Sequence, residues 1–261
     1  MRNLRVSGPS RTGKRRSRHH GDDTDKSDSP RYWQILTAEL VGTFFLTLSA
    51  ILPVHQASSP VSHLEKALPS GLVVCALILA IGPTSGAHFN PAVTMAFFLR
   101  QAFSLKKVPS YITAQIMGAV LAASLAAGLA RNRFLVGQTH PLVDPISAVV
   151  IEAVLTTLLV LVILGTANNH RLVGNNAALA VGAAICLSGM IGRESGPSLN
   201  PARSLGPAIV SGDFADIWIY LLGPLLGVGI AVVLTTILVA PANADEAQEA
   251  RGRDQRLPGD T

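Results

Sequence analysis

The sequence predicts an all-α membrane protein, with six transmembrane helices plus two re-entrant half-helices in an inverted repeat. Three observations carry this. The 261-residue chain is 49% hydrophobic and only 14% charged, against about 25% charged residues in soluble domains. Its apolar residues gather into six long stretches. The tripeptide Asn-Pro-Ala occurs twice inside the apolar region, in "GAHFNPAVT" and "GPSLNPARS". Proline disturbs a helix interior, and a buried amide is costly unless its polar atoms are paired. Two copies of so awkward a tripeptide point to a device used twice.

The elements follow in order. Residues 1–31 hold nine of the 21 Lys and Arg residues and no apolar run. They read as a disordered basic tail and not as a cleaved signal peptide. The cluster "KRRSR", so near a span, is read as touching anionic lipid on the cytoplasmic side in preference to nucleic acid. The apolar stretches cover 32–54, 67–83, 109–130, 145–167, 176–191 and 217–240. A span needs about 20 apolar residues. Four stretches fit easily, and the second and fifth are short. Those two run directly into the Asn-Pro-Ala stretches. A further apolar piece follows each motif, at 91–100 and 201–210. Ten helical residues reach about 15 Å, half of a hydrocarbon core, so these pieces enter the membrane without crossing it. Residues 241–261 are polar and mixed in charge and read as a solvated C-terminal tail. Cys75 and Cys186 sit in apolar runs and read as small core residues, with no metal or redox spacing.

The membrane region, 32–240, divides into two repeats, about 32–130 and 145–240. Asn90 and Asn200 are 110 residues apart, Glu39 and Glu152 are 113 apart, and "YITAQIMGA" matches "YLLGPLLGV" at an offset of 109. An odd number of spans per repeat turns the second copy upside down. With the N-terminus inside, sixteen Lys and Arg residues fall on the inner side and four on the outer. This bias places both termini in the cytoplasm.

Pro91 and Pro201 suit the first turn of a helix, where a missing N–H is harmless. Asn90 and Asn200 then take the N-cap positions, with their amide N–H groups left to donate outward. In an inverted repeat the two half-helix N-termini meet near the midplane, bringing two donors and two positive dipole ends together. The irregular residues before each Asn, Gly86, Ala87 and His88 in one copy and Gly196, Pro197 and Ser198 in the other, present backbone carbonyls. Such backbone is tolerated at membrane depth only when buried in protein or lining a water-filled cavity. Carbonyl acceptors, amide donors and positive helix ends together favour a pore that passes neutral hydrogen-bonding molecules and repels cations and protons.

With "SGAHFNPAVT", "NPARSLGPA", "AELVGTF" and "YITAQIMGA" in an inverted repeat, residues 32–240 resemble the aquaporin and glycerol-facilitator family, the major intrinsic proteins. The resemblance implies the aquaporin fold, a homotetramer with one pore per subunit, and a plasma-membrane channel that needs no cofactor or metal. It implies that Asn90, Pro91, Ala92, Asn200, Pro201 and Ala202 line the pore and that Arg203 stands in the outer constriction. The other constriction positions of the family, carried over by counting back from the two Asn residues, fall on Ser70, Ser188 and Pro197. A Ser, Ser, Pro, Arg filter lacks the bulky rings of water-selective and glycerol-selective members, so the expected opening is wider and more polar. Ser204 and Ala208 follow the water-channel pattern. Tyr220-Leu221 is similar to the nodulin-like branch, whose members pass metalloid acids and small polyols.

Several residues keep two readings. Glu39 and Glu152 are functional candidates by default inside a membrane, as proton relays, or else acceptors for the backbone N–H groups of the re-entrant loops; their symmetry favours the second. His88 lines the inner pore or has a structural or pH-sensing role. Gln115, Gly118, Gly223 and Gly227 read as packing residues between close helices. The leading function is a passive channel for water and small uncharged solutes. The alternatives are a water-selective channel, a proton-coupled transporter using Glu39 and Glu152, and a scaffold that conducts little. No nucleophile–base pair marks an enzyme.

Overall fold

The computed structural model describes residues 30–55, 62–132, 136–168, 176–239 and 241–252. The basic tail read over 1–31 lies almost wholly outside the described residues. Nine α-helices stand among them: α1 Tyr32–His55, α2 His63–Ser85, α3 Pro91–Leu99, α4 Val108–Ala130, α5 Pro145–Asn168, α6 Asn176–Ile191, α7 Pro201–Ser211, α8 Ile217–Leu238 and α9 Ala244–Arg251. Short 3-10 turns precede α4 and follow α6. Helices α1, α2, α4, α5 and α8 are long and apolar enough to cross a membrane, and α6 has 16 residues.

Helix α2 starts earlier than the apolar run does. Ser62 accepts from the Glu65 N–H while the Glu65 carboxylate accepts from the Ser62 N–H, a capping box that adds a polar first turn. That turn makes α2 a 23-residue span. At the start of α5, Asp144 accepts from the N–H groups of Ile146 and Ser147 at 3.1 and 3.0 Å. The bonds from Ser147 hold this carboxyl below its ordinary range. The half-helices α3 and α7 both begin at proline, with Asn90 and Asn200 as N-caps.

The repeat is visible in the packing. The most extensive helix pairs are α1 with α4 and its counterpart α5 with α8. Each pair closes over a glycine. A Cβ on Gly118 would lie 2.2 Å from the Leu40 carbonyl, and one on Gly227 would lie 2.5 Å from the Ala153 carbonyl. Leu40 follows Glu39 and Ala153 follows Glu152, so the two contacts are the same contact in the two repeats. Gly118→Val is therefore expected to fail to assemble. The obstacle is backbone that cannot swing aside, and overpacking of this kind costs about 3 kcal/mol or more. Loss of the monodisperse peak in detergent chromatography is the readout.

The half-helices interlock the repeats. Helix α3 packs on α4 and on α8, α7 packs on α4 and α8, and α3 and α7 touch each other. Large apolar side chains such as Leu72, Leu129 and Ile237 face outward at 59, 62 and 72% exposure, which is the pattern of a surface solvated by lipid.

The C-terminal segment departs from the sequence expectation of a solvated tail over 241–261. Residues 244–251 form α9, which docks on α2 and α5 and buries Glu246 and Ala250 completely. Its docking is polar, through an ion pair, which a hydropathy pattern does not register.

Candidate functional site: a clasped pair of asparagines between two cavities

Each re-entrant loop is held by one buried carboxylate. Glu39 accepts from the N–H groups of His88 (3.0 Å) and Phe89 (2.8 Å), from the Ser85 hydroxyl (2.7 Å) and from the Gln115 amide (2.8 Å). Glu152 repeats the pattern, accepting from the N–H groups of Ser198 (3.0 Å) and Leu199 (2.9 Å) and from the Ser195 hydroxyl (2.8 Å). Both carboxylates are fully buried. Tyr111 and Tyr220 donate to the Ser85 and Ser195 carbonyls, one in each repeat. Of the two readings left open by the sequence, the contacts match the loop-holding one.

The carboxylates hold a backbone that would not stand alone. Phe89 and Leu199, each just before an Asn, have φ of +51° and +56°, and Ala87 has +51°. A left-handed conformation is costly for a bulky residue, and it persists only where surrounding contacts fix it. The N–H groups of Phe89 and Leu199 are the very donors that the two carboxylates accept.

The turn aims the two Asn side chains at each other's loop. Asn90 donates from Nδ2 to the Leu199 carbonyl at 2.8 Å, and Asn200 donates to the Phe89 carbonyl at 2.9 Å. Each Oδ1 caps its own half-helix, Asn90 by accepting from the Ala92 N–H, and Asn200 by accepting from the N–H groups of Ala202 and Arg203. The expectation that both amide N–H groups stay free to donate into the pore is thus corrected. An amide has two N–H groups, and one of each pair holds the opposite loop.

Two cavities meet at this clasp. The outer one has a volume of about 360 Å³ and the inner one about 80 Å³. Asn90, Leu46, Leu159 and Ile185 line both. Leu46 and Leu159 stand seven residues after Glu39 and Glu152, so an apolar wall with the repeat's own symmetry faces the amides. The inner cavity is lined by Gly86, Ala87 and His88, and the outer by Gly196, Pro197 and Ser198. Each set comes from the loop read as supplying carbonyls.

Ser70, Pro197 and Arg203 come together around the outer cavity. Arg203 donates from one guanidinium nitrogen to the Gly137 carbonyl at 3.2 Å, which fixes its head at the mouth. Ser188 does not join them. Its side chain is wholly buried, its hydroxyl has no partner among the described residues, and the cavity wall on α6 is made by Ile185 and Gly189 instead. Those two are one helical turn apart, and Ser188 is rotated about 100° from Gly189. Ser188→Ala is expected to leave water and solute flux unchanged and to stabilise the fold by up to about 1 kcal/mol, since it removes an unpaired buried hydroxyl. A changed solute ratio in vesicle swelling would put that hydroxyl back in the pore.

His88 is packed among Phe97, Phe103 and Tyr111, with ring centroids 4.9 to 5.1 Å away. Its Nε2 donates to the Ala250 carbonyl on α9 at 3.0 Å, and its Nδ1 lies 3.1 Å from the Thr94 hydroxyl. Glu249 of α9 also lines the inner cavity, and Arg100 pairs with the buried Glu246; none of the three was legible as a site residue, and the charge of Arg100 gave it only a place in the inner-side count.

The profile of the family "Major intrinsic protein" matches residues 26–235. Aquaporin NIP1-1 of Zea mays is 40% identical over 203 residues, covering 74% of this chain and 71% of the relative. Nodulin-26 of Glycine max is 40% identical over 209 residues, covering 78% and 77%. The X-ray structure of the aquaglyceroporin from Plasmodium falciparum superposes with a TM-score of 0.68 at 26% identity, covering 80% of this chain and 97% of that one. The chain belongs to the major intrinsic protein family and is a multi-pass membrane channel.

Proposed function

We propose that the protein is a passive channel for water and small uncharged solutes such as glycerol, urea and boric or arsenious acid, and that it excludes protons and ions. The observation that carries this reading is the clasp itself, two capping amides pinned between an outer cavity of about 360 Å³ and an inner one of about 80 Å³. A solute entering past Arg203 meets loop carbonyls as acceptors on one wall and leucine and isoleucine on the other. At the clasp it meets the remaining amide N–H groups beside two positive helix ends, a field that disfavours cations. Uncharged molecules with hydrogen-bonding groups on one side suit such a path. Ser70 and Gly189 put no bulky ring at their two positions in the outer mouth, which supports solutes larger than water. Both termini are placed in the cytoplasm by the Lys and Arg bias, the membrane is the plasma membrane, and the working unit is a homotetramer with one pore per subunit.

Stopped-flow swelling of proteoliposomes with a panel of water, glycerol, urea and boric acid tests this. Solute flux without any dependence on an imposed pH gradient is the expected result. Permeation by water alone would overturn the wide-filter reading in favour of a water-selective channel. Flux driven by the pH gradient would overturn passive conduction.

A further inference from the structure

We propose that the C-terminal helix α9 is a wall of the pore and forms its inner constriction, at the mouth opposite Arg203. The proposal rests on the channel reading above and deepens it. Three sets of contacts seat the helix there. The first is an anchor away from the pore. Arg100 makes a two-pronged pair with Glu246, Nε to Oε1 at 2.8 Å and a terminal nitrogen to Oε2 at 2.7 Å, with side chains 3% and 0% exposed. The Arg100 guanidinium also donates to the Thr236 hydroxyl, and Asn168 donates to Glu246. Removing one partner of such a pair leaves a buried charge uncompensated, so loss of either residue alone should weaken the docking.

The second is backbone contact with the re-entrant loop. His88 donates to the Ala250 carbonyl, and a Cβ on Gly86 would lie 2.7 Å from the carbonyls of Glu249 and Ala250. Two residues past Ala250, a Cβ on Gly252 would lie 2.7 Å from the Pro83 carbonyl. Both glycines have positive φ, +87° and +72°. The last turn of α9 therefore lies directly against the end of α2 and the first residues of the loop. The third is the cavity. Glu249 lines the inner cavity with Gly86, Ala87 and His88, and that cavity has less than a quarter of the outer one's volume. In this proposal a solute leaving the loop residues passes beside Glu249. The channel thus has two unlike ends, an outer cavity carrying Arg203 and a smaller inner one bordered by a carboxylate-bearing residue of the chain's own C-terminal helix.

The test uses the full chain in vesicles of phosphatidylcholine and phosphatidylglycerol, with glycerol and water swelling measured side by side. Glu249→Ala should raise glycerol flux severalfold, and Glu249→Trp should lower it by at least about tenfold. Glu249 is only partly buried, so both variants should still purify as folded channels, with melting measured beside flux. Glu246→Gln should loosen α9, speeding tryptic cleavage after Arg251 and raising glycerol flux with it. Wild-type glycerol flux in both Glu249 variants overturns the inner constriction and leaves the channel reading standing. Faster cleavage of Glu246→Gln without a change in flux overturns it as well. Absence of water and solute flux in the wild type and in every variant overturns the channel reading, and the proposal with it.

Discussion

Leucine in place of Glu39 or of Glu152 is expected to abolish the folded channel. Each carboxylate accepts from two backbone N–H groups of a re-entrant loop and from a serine hydroxyl. Leucine has about the same size but accepts nothing. Two N–H groups would then be buried without partners, in a segment that cannot rearrange into helix because Pro91 or Pro201 follows. Unpaired buried groups cost on the order of 1–3 kcal/mol each, so the loss from the two N–H groups is roughly 2–6 kcal/mol per site. The left-handed Phe89 or Leu199 loses the contact that fixes it, which adds to the loss. Glutamine is the informative control. Its carbonyl oxygen keeps one N–H bond, while its amide nitrogen faces the second donor. Glutamine variants should therefore melt at intermediate temperatures and conduct weakly. Melting in detergent together with vesicle swelling checks both. A leucine variant with wild-type melting and flux would mean that the loops stand without the carboxylates.

The second large effect is expected from Ser70→Phe. Ser70 lies on α2 at the outer cavity, across from the loop that carries Pro197 and in the same lining as Arg203. The nearest hydroxyl, that of Ser49, is 3.4 Å away, so the serine is held only lightly. An aromatic ring at this position fills the space in front of Arg203. Glycerol and urea flux should fall by roughly tenfold while water flux falls by less than about twofold, because pore diameter discriminates by solute size. The substitution adds no charge and breaks only the long contact to Ser49, so purification yield and melting should hold. Equal losses for water and glycerol would mean that the outer mouth is not where solutes are sorted.

What the sequence made legible was whatever obeys a short rule. Asn90 and Asn200 are visible because Asn-Pro places a cap before a proline, and Glu39 and Glu152 because an acid in an apolar run demands a reason. Gly118 and Gly227 stood out through their common distance from Tyr111 and Tyr220, and both close a helix pair. The misses follow from interactions between distant residues. Arg100 and Glu246 are 146 residues apart, and each looks like ordinary surface charge until the other is in view. α9 is polar by composition, so no hydropathy window registers its burial. Ser188 was carried over by counting along the chain. Counting fixes a level in the membrane but not a direction around the helix axis, and Ile185 and Gly189 took the wall instead. The start of α2 was missed because its capping box is built from polar residues, Ser62 and Glu65, that precede the apolar run.

The exchange of bonds between Asn90 and Asn200 also sets a waiting time during synthesis. The carbonyl that Asn90 needs belongs to Leu199, 109 residues later in the chain. Chains elongate at about 5–20 residues per second, so the first loop stands incomplete for roughly 5–20 s after it leaves the ribosome. Through that interval its left-handed turn depends on contacts within the first repeat, chiefly Glu39 and Tyr111. Neither half can finish its own share of the conduit, and a chain stopped before the second repeat holds an open polar wound in the bilayer. A quality-control protease that recognises unpaired amides at membrane depth would find its substrate in such truncated chains and spare the completed one.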